Sequence, residues 1–278
     1  MFKCSVFDIL LLISSLTKST SSSRLSKRTG DTTDVLSYQN GQGQWGNIKL
    51  NDVYTLYVNA WGGDKATSDS FQKVASKGLK GIDVAWSTTY SWKPKTENDK
   101  NQVKSYANLD YRLANPPKIG AIKSIPTAWE WRYAERSQDL VANVAYDIWT
   151  SSDAKCGTAQ PCSTNEIMIW LSKAGGAGPI GTKTDKVFRW NGCHLEAYLG
   201  DIKYQSNGQN VDWRVISLVA TKDCQIIKNA NLKEVFSWLI KEFQVKESDY
   251  LTAIGAGSEP FKGQATLETT RYNAQIKV

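Results

Sequence analysis

From residue 45 onward the chain is cut by turn clusters into short segments in which apolar and polar residues alternate. A period of two puts successive side chains on opposite faces of a strand, so each segment can bury one face and wet the other. Candidate strands run over residues 53–61, 81–92, 105–113, 121–131, 140–150, 167–172, 186–190, 194–199, 212–220 and 265–277. Ten or more strands in about 250 residues predict an all-β sandwich or jelly roll. One segment breaks the period. Leu232, Val235, Phe236, Leu239, Ile240 and Phe243 recur at helical spacing, which predicts a single helix laid on the sandwich, N-capped by Asn231 with Glu234 closing a capping box.

A hydrophobic content of 41% supports a sizeable core. The 11 Trp and 12 Tyr are more large rings than a core alone needs, which suggests a planar ligand. The formal net charge of +7 invites a nucleic-acid partner. Four of those charges, however, come from residues 1–28, where Lys3, Lys18, Arg24, Lys27 and Arg28 face only Asp8. The remainder carries both signs interspersed without a basic run, so nucleic acid is not an expected partner.

That first stretch has a lysine near its start, an apolar run over residues 6–16 broken by Asp8, Ser14 and Ser15, and small residues over 19–23. It reads as a secretory signal. The run is too short to span a bilayer, and no later segment approaches the roughly 20 apolar residues that a membrane helix needs. Lys27-Arg28 looks like a dibasic processing site. Residues 1–28 are therefore expected to be a signal peptide with a short pro-segment, and 29–278 a single domain, extracellular, monomeric and free of the membrane.

Four cysteines remain beyond the leader: Cys156, Cys162, Cys193 and Cys224. An even number in a secreted chain predicts disulfides, and the short loop between the first two favours pairing them, leaving Cys193 with Cys224. A zinc site is the alternative, but His194 is the only histidine and no C-x-x-C pair occurs. The single histidine also argues against Ser-His-Asp and Cys-His nucleophiles. Any chemistry this chain performs has to use carboxylates.

In the segment Asn-Glu-Ile-Met-Ile-Trp-Leu over 165–171, alternation puts Glu166, Met168 and Trp170 on one face and Ile167, Ile169 and Leu171 on the other. An acid, a thioether and an indole side by side suit the floor of a sugar-binding cleft; a surface glutamate at a strand edge is the plainer alternative. Glu259 lies between glycines in Gly-Ala-Gly-Ser-Glu-Pro-Phe-Lys-Gly over 255–263, and by itself this is a turn with a solvated acid. In Tyr146-Asp-Ile-Trp149, alternation sets Asp147 beside Asn143 and Trp149, where it could tune a neighbour's pKa.

Together these segments, with Gly178-Pro-Ile-Gly181 and Lys123-Ser-Ile-Pro-Thr127 in matching order, resemble glycoside hydrolase family 12, the secreted endo-β-1,4-glucanases and xyloglucanases, from about Gln44 to Ile276. The resemblance implies a β-jelly roll of two curved antiparallel sheets, the concave one forming an open cleft, and an activity on β-glucan that needs no metal or cofactor. It implies Glu166 as nucleophile and Glu259 as general acid/base of a retaining mechanism, their carboxyls about 5–5.5 Å apart. Asp147 would hydrogen-bond to Glu166, and a proton shared between them would favour an acidic optimum.

Val58-Asn-Ala-Trp-Gly62 resembles the family's Asn-x-Trp segment, giving Asn59 as a hydroxyl partner and Trp61 as a stacking ring, and Trp45 matches an aromatic at the distal subsites. The run 85–92 resembles another cleft strand and adds Tyr90 and Trp92; Met168, Trp170 and Pro179 complete the expected sugar contacts. The Gly175–Ile180 run leans toward xyloglucan-cleaving members, with mixed-linkage β-glucan as a side substrate. The family commonly has Tyr where this chain has Asn165, a change expected to affect packing only. The alternative function is a non-catalytic glucan-binding or surface-recognition protein on the same fold. No Asn-x-Ser/Thr sequon occurs, so N-glycosylation is not expected.

Overall fold

The computed structural model describes residues 2–3 and 34–278 apart from Asn207, with the backbone only of Phe2, Lys3 and Ser206. The expected signal peptide and pro-segment thus lie outside the described residues except for Phe2 and Lys3, which pair in parallel with Ala177 and Gly178. Fifteen strands form one hydrogen-bonded system. They are β1 (Val35–Gln39), β2 (Asn47–Lys49), β3 (Tyr54–Tyr57), β4 (Phe71–Lys80), β5 (Asp83–Trp92), β6 (Ala107–Tyr111), β7 (Pro126–Arg136), β8 (Val141–Ser151), β9 (Ser163–Ala174), β10 (Thr182–Trp190), β11 (Cys193–Ser206), β12 (Gln209–Ala220), β13 (Ile226–Asn231), β14 (Tyr250–Ser258) and β15 (Pro260–Ala274). Among the described residues one α-helix occurs, α1, spanning Leu232–Phe243.

Nine strands form a sheet in the order β10-β11-β12-β9-β8-β14-β6-β3-β2. The other six follow the order β1-β4-β5-β15-β7-β13. Neighbours within the two sheets run antiparallel except β9 and β12, which are parallel. The sheets join at one corner. There β15 starts beside β8, with Pro260 opposite Ala142 and Lys262 opposite Val141, and then crosses to β5 and β7. Gly263 permits this bend: its φ is +97°, and a Cβ there would lie 2.8 Å from Cα of Leu140.

Alternation decides which side chains enter the layer between the sheets. From the larger sheet come Val144, Tyr146 and Ile148 of β8 and Ile167, Ile169 and Leu171 of β9, meeting Trp86 of β5, Trp129 of β7 and Tyr272 of β15. Rings here meet edge to face, as in the 4.9 Å contact of Trp129 with Tyr146 at 85°. Helix α1 adds Leu232, Val235, Phe236, Leu239 and Phe243 to this core, and Oδ1 of Asn231 caps it by accepting from the Lys233 amide at 3.0 Å.

Two expected sugar contacts are corrected by this layering. Tyr90 and Trp92 share a face with Trp86 and Thr88, as alternation predicts, but that face of β5 points inward and both rings are buried at 1% exposure or less. The physical reason is that β5 belongs to the smaller sheet, whose inner face is core, while its other face carries Ser87, Thr89 and Ser91. The cysteines pair Cys156 with Cys162 and Cys193 with Cys224.

Candidate active site

The outer face of the nine-stranded sheet lines a cavity of about 350 Å³. Five neighbouring strands supply its floor and walls: Glu166 from β9, Asp147 and Trp149 from β8, Trp213 from β12, Gly255 from β14, and Asn108 and Asp110 from β6. Gly255 leaves room for its neighbours, since a Cβ there would come within 3.2 Å of both the Tyr106 ring and the Asp147 carbonyl. Glu259 enters from the corner between β14 and β15, so the switch from one sheet to the other aims its carboxyl into the cavity.

Each of the three acids has its own donor. Nε1 of Trp213 donates to Oε2 of Glu166 at 2.8 Å, and Nε1 of Trp149 donates to Oδ2 of Asp147 at 2.9 Å. Nδ2 of Asn143 donates to Oε2 of Glu259 at 2.6 Å, while Oδ1 of the same Asn143 accepts from the Glu259 amide at 3.0 Å. Ser258 Oγ in turn donates to the Asn143 carbonyl at 2.6 Å. The other Asp147 oxygen, Oδ1, is buried without a hydrogen-bond partner among the described residues. Cross-strand register places Glu166 opposite Trp149 and Asp147 opposite Met168, so the two acids are diagonal neighbours on one face.

Burial raises all three carboxyls above the ordinary carboxylate range. Glu166 goes to about 7, with the Trp213 donor working against burial. Glu259 goes to about 8, held down by Asn143 and pushed up by the nearby Glu166. Asp147 is pushed up by burial first and then by Glu166, with Trp149 opposing. Glu166 and Glu259 are thereby raised to where a carboxyl can exchange its proton near neutral pH, which two-carboxylate catalysis requires of its acid.

Away from the acids the cavity is lined by Trp45, Tyr57, Asn59, Trp61 and Arg112. Trp45 is 49% exposed, a large ring presented to solvent. Asn59 sits at φ +44° and its Nδ2 faces Oδ1 of Asn108 at 3.5 Å. Arg112 pairs with Asp110 at 3.0 Å. One wall is the loop carrying Thr158, Ala159 and Gln160, closed by the Cys156–Cys162 bond.

Glu166, Glu259, Asp147, Trp45, Asn59 and Trp61 are thus brought to one cavity. Met168 and Trp170 lie on the cleft face of β9 as alternation predicts, yet they are buried in a small apolar cluster with Val103, Ala145 and Phe261 and do not line the cavity. Pro179 is also buried, outside the lining. Trp213, Tyr57, Asn108, Asp110, Arg112 and Gln160 were not expected from sequence. Alternation through residues 212–220 already separates Trp213, Val215 and Ser217 from the apolar Ile216 and Leu218, which is the signal that would have exposed Trp213.

A jelly roll whose outer sheet face sets a pair of carboxyls among aromatic rings is built as a glycosidase. The model of glycosyl hydrolase family 12 matches residues 52–277, and the chain belongs to that family. A probable xyloglucan-specific endo-β-1,4-glucanase A of Aspergillus terreus is 37% identical over 235 residues, covering 84% of this chain and 86% of that protein. Also 37% identical, over 226 residues covering 80% of this chain and 86% of the relative, is a protein of Phytophthora nicotianae named inactive glycoside hydrolase XLP1. Among solved structures, endoglucanase 3 of Trichoderma harzianum superposes with a TM-score of 0.74 at 25% identity, covering 90% of this chain and all of that one.

Proposed function

We propose that the protein is a secreted, endo-acting β-1,4-glucan hydrolase that retains anomeric configuration, with xyloglucan as its favoured substrate and residues 29–278 as its catalytic domain. The carrying observation is the acid set itself: Glu166, Glu259 and Asp147 at one cavity, each with a dedicated donor and each raised by burial. In this reading the ionised Glu166 attacks the anomeric carbon while Glu259 gives its proton to the departing glycosidic oxygen, leaving a glycosyl ester on Glu166. Glu259, now a carboxylate, takes a proton from water; the water oxygen displaces Glu166 and the sugar leaves with its β configuration. The expected Asp147–Glu166 hydrogen bond is not formed: Oδ2 of Asp147 accepts from Trp149 and Oδ1 has no partner among the described residues, so Asp147 acts on the nucleophile through the electrostatic coupling of the two carboxyls. Trp45 and Trp61 line the cavity beside the acids, which supports their stacking on pyranose faces.

The xyloglucan preference is supported by the name of the Aspergillus terreus relative, and secretion by the two disulfides and the leader-like residues 1–28. A non-catalytic glucan-binding role is the second reading, favoured by the name of the Phytophthora relative. The deciding experiment is viscosity and reducing-sugar release on xyloglucan, carboxymethyl-cellulose and barley β-glucan by the mature chain and by Glu166→Gln, with the anomer of the first product read by proton NMR. Fast viscosity loss, a β-anomer and silence of the variant are expected. Glucan binding without hydrolysis hands the protein to the second reading, and an α-anomer refutes retention.

A further inference from the structure

The face of β9 turned away from the cleft carries a polar network that the chemistry above does not use. Asn165, one residue before Glu166, is 4% exposed. Its Nδ2 donates to Thr150 Oγ1 of β8 at 2.9 Å, and its Oδ1 accepts from Arg214 Nε of β12 at 3.0 Å. Nη1 of the same guanidinium donates at 2.6 Å to the carbonyl of Phe243, the last residue of α1, where unpaired helix-end carbonyls favour a cation. The Thr150 and Thr164 hydroxyls lie 3.0 Å apart, and Thr164 donates to Asp249 at 2.7 Å. So Asn165 does more than fill space at its position.

The network meets a weakness in the sheet. β9 and β12 form its parallel pair, and their core faces, Ile167, Ile169 and Leu171 beside Ile216 and Leu218, are alike enough to pack after a slip of two residues, which leaves every side chain on its own face. Such a slip moves a strand by about 7 Å and takes Trp213 away from Glu166. The observed register sets Asn165 beside Arg214 and Glu166 beside Val215. Asn165 and Arg214, bonded on the back face, are therefore the chain neighbours of Glu166 and Trp213, bonded on the cleft face. We infer that the Asn165–Arg214 hydrogen bond, anchored on the end of α1, locks the register of this parallel pair and so holds the Glu166 carboxylate against the Trp213 indole. Asn165 and Arg214 are then positioning residues for the nucleophile. The far end of the pair has its own tie, Ser172 Oγ donating to Asp223 at 2.8 Å, so losing the lock loosens the catalytic end without releasing the strand.

This rests on Glu166 as nucleophile. The groups facing Glu166 are Trp213 from β12, Asp147 from β8 and Glu259 from the corner, with Asp110 of β6, paired to Arg112 just past the strand, beyond Asp147. The test uses the mature chain with Asn165→Leu, Arg214→Met, the double variant and Asn165→Asp, measuring kcat and KM on barley β-glucan from acid to alkaline pH together with Tm. Each single loss should lower kcat about tenfold with KM within about twofold, and move the acid limb of the profile to higher pH. The double should be no worse than the poorer single, and Asn165→Asp, which still offers Arg214 an acceptor, should recover most of kcat. Variants that lose Tm but keep kcat and the acid limb overturn the lock, as does an additive double. Should Asn165→Leu not fold, Arg214→Met and Asn165→Asp decide by the same criteria. Glu166→Gln run alongside separates the two failures, because activity in that variant removes the nucleophile reading whatever the lock variants do.

Discussion

Replacing Trp213 by Phe removes the indole N–H and trims a buried ring while keeping an aromatic in place. The ring stays against Trp149, whose centroid lies 5.4 Å away, but Oε2 of Glu166 loses its 2.8 Å donor. A hydrogen bond to a charged group contributes about 1.5–3 kcal/mol. At about 1.4 kcal/mol per unit, that is one to two pKa units. The donor stabilises the ionised form, so its loss raises a carboxyl that burial has already raised to about 7. The acid limb of kcat/KM should therefore move up by one to two units, and at a pH below the limb the variant should lose about tenfold for each unit. Initial rates on a soluble β-glucan across pH, with Tm measured beside them, separate this from packing: the smaller ring costs about 1–2 kcal/mol of stability, which lowers Tm without moving the limb. An acid limb that stays in place, or moves down, refutes the role of the indole.

Glu259→Gln should trade activity for stability in a pH-dependent way. The folded carboxyl, raised from 4.5 to about 8, keeps a proton that the unfolded chain releases above about pH 4.5, so wild-type stability falls as pH rises through that window. The neutral amide escapes this, and Tm by calorimetry should exceed wild type at pH 8, by the equivalent of about 2 kcal/mol after allowing for partial exposure, with no gain at pH 4. Trp45→Ala, at an exposed ring, should raise KM by about fivefold for roughly 1 kcal/mol of lost stacking and leave Tm unchanged. Trp92→Ala, in the core, should do the reverse, with a loss of about 3–5 kcal/mol in denaturant unfolding and unchanged KM in whatever folds. Joint replacement of Cys156 and Cys162 by Ser should free the Thr158–Gln160 wall and raise KM several-fold while kcat holds; an unchanged KM would show that this wall does not touch substrate.

What the sequence determined by itself was local. Period-two alternation over 140–150 and 165–171 correctly split Asp147 from Tyr146 and Glu166 from Ile167, because a strand's faces depend only on its own backbone. Helical spacing with Asn231 in front gave α1 for the same reason. Strand β14 escaped, since Ala, Gly and Ile, buried on both faces, carry no alternation to read. The tertiary structure decided everything that depends on which sheet a strand joins. Tyr90 and Trp92 alternate like cleft residues and are core, because β5 lies in the smaller sheet; Trp170 faces the cleft side and is buried in a cluster that includes Val103 and Phe261, residues far away along the chain. Trp213 reaches Glu166 only because two distant strands pair in parallel at one register, and Glu259 reaches the cavity only because the chain changes sheets at Pro260. Those are long-range contacts, fixed by packing between layers, and no periodicity within a segment encodes them.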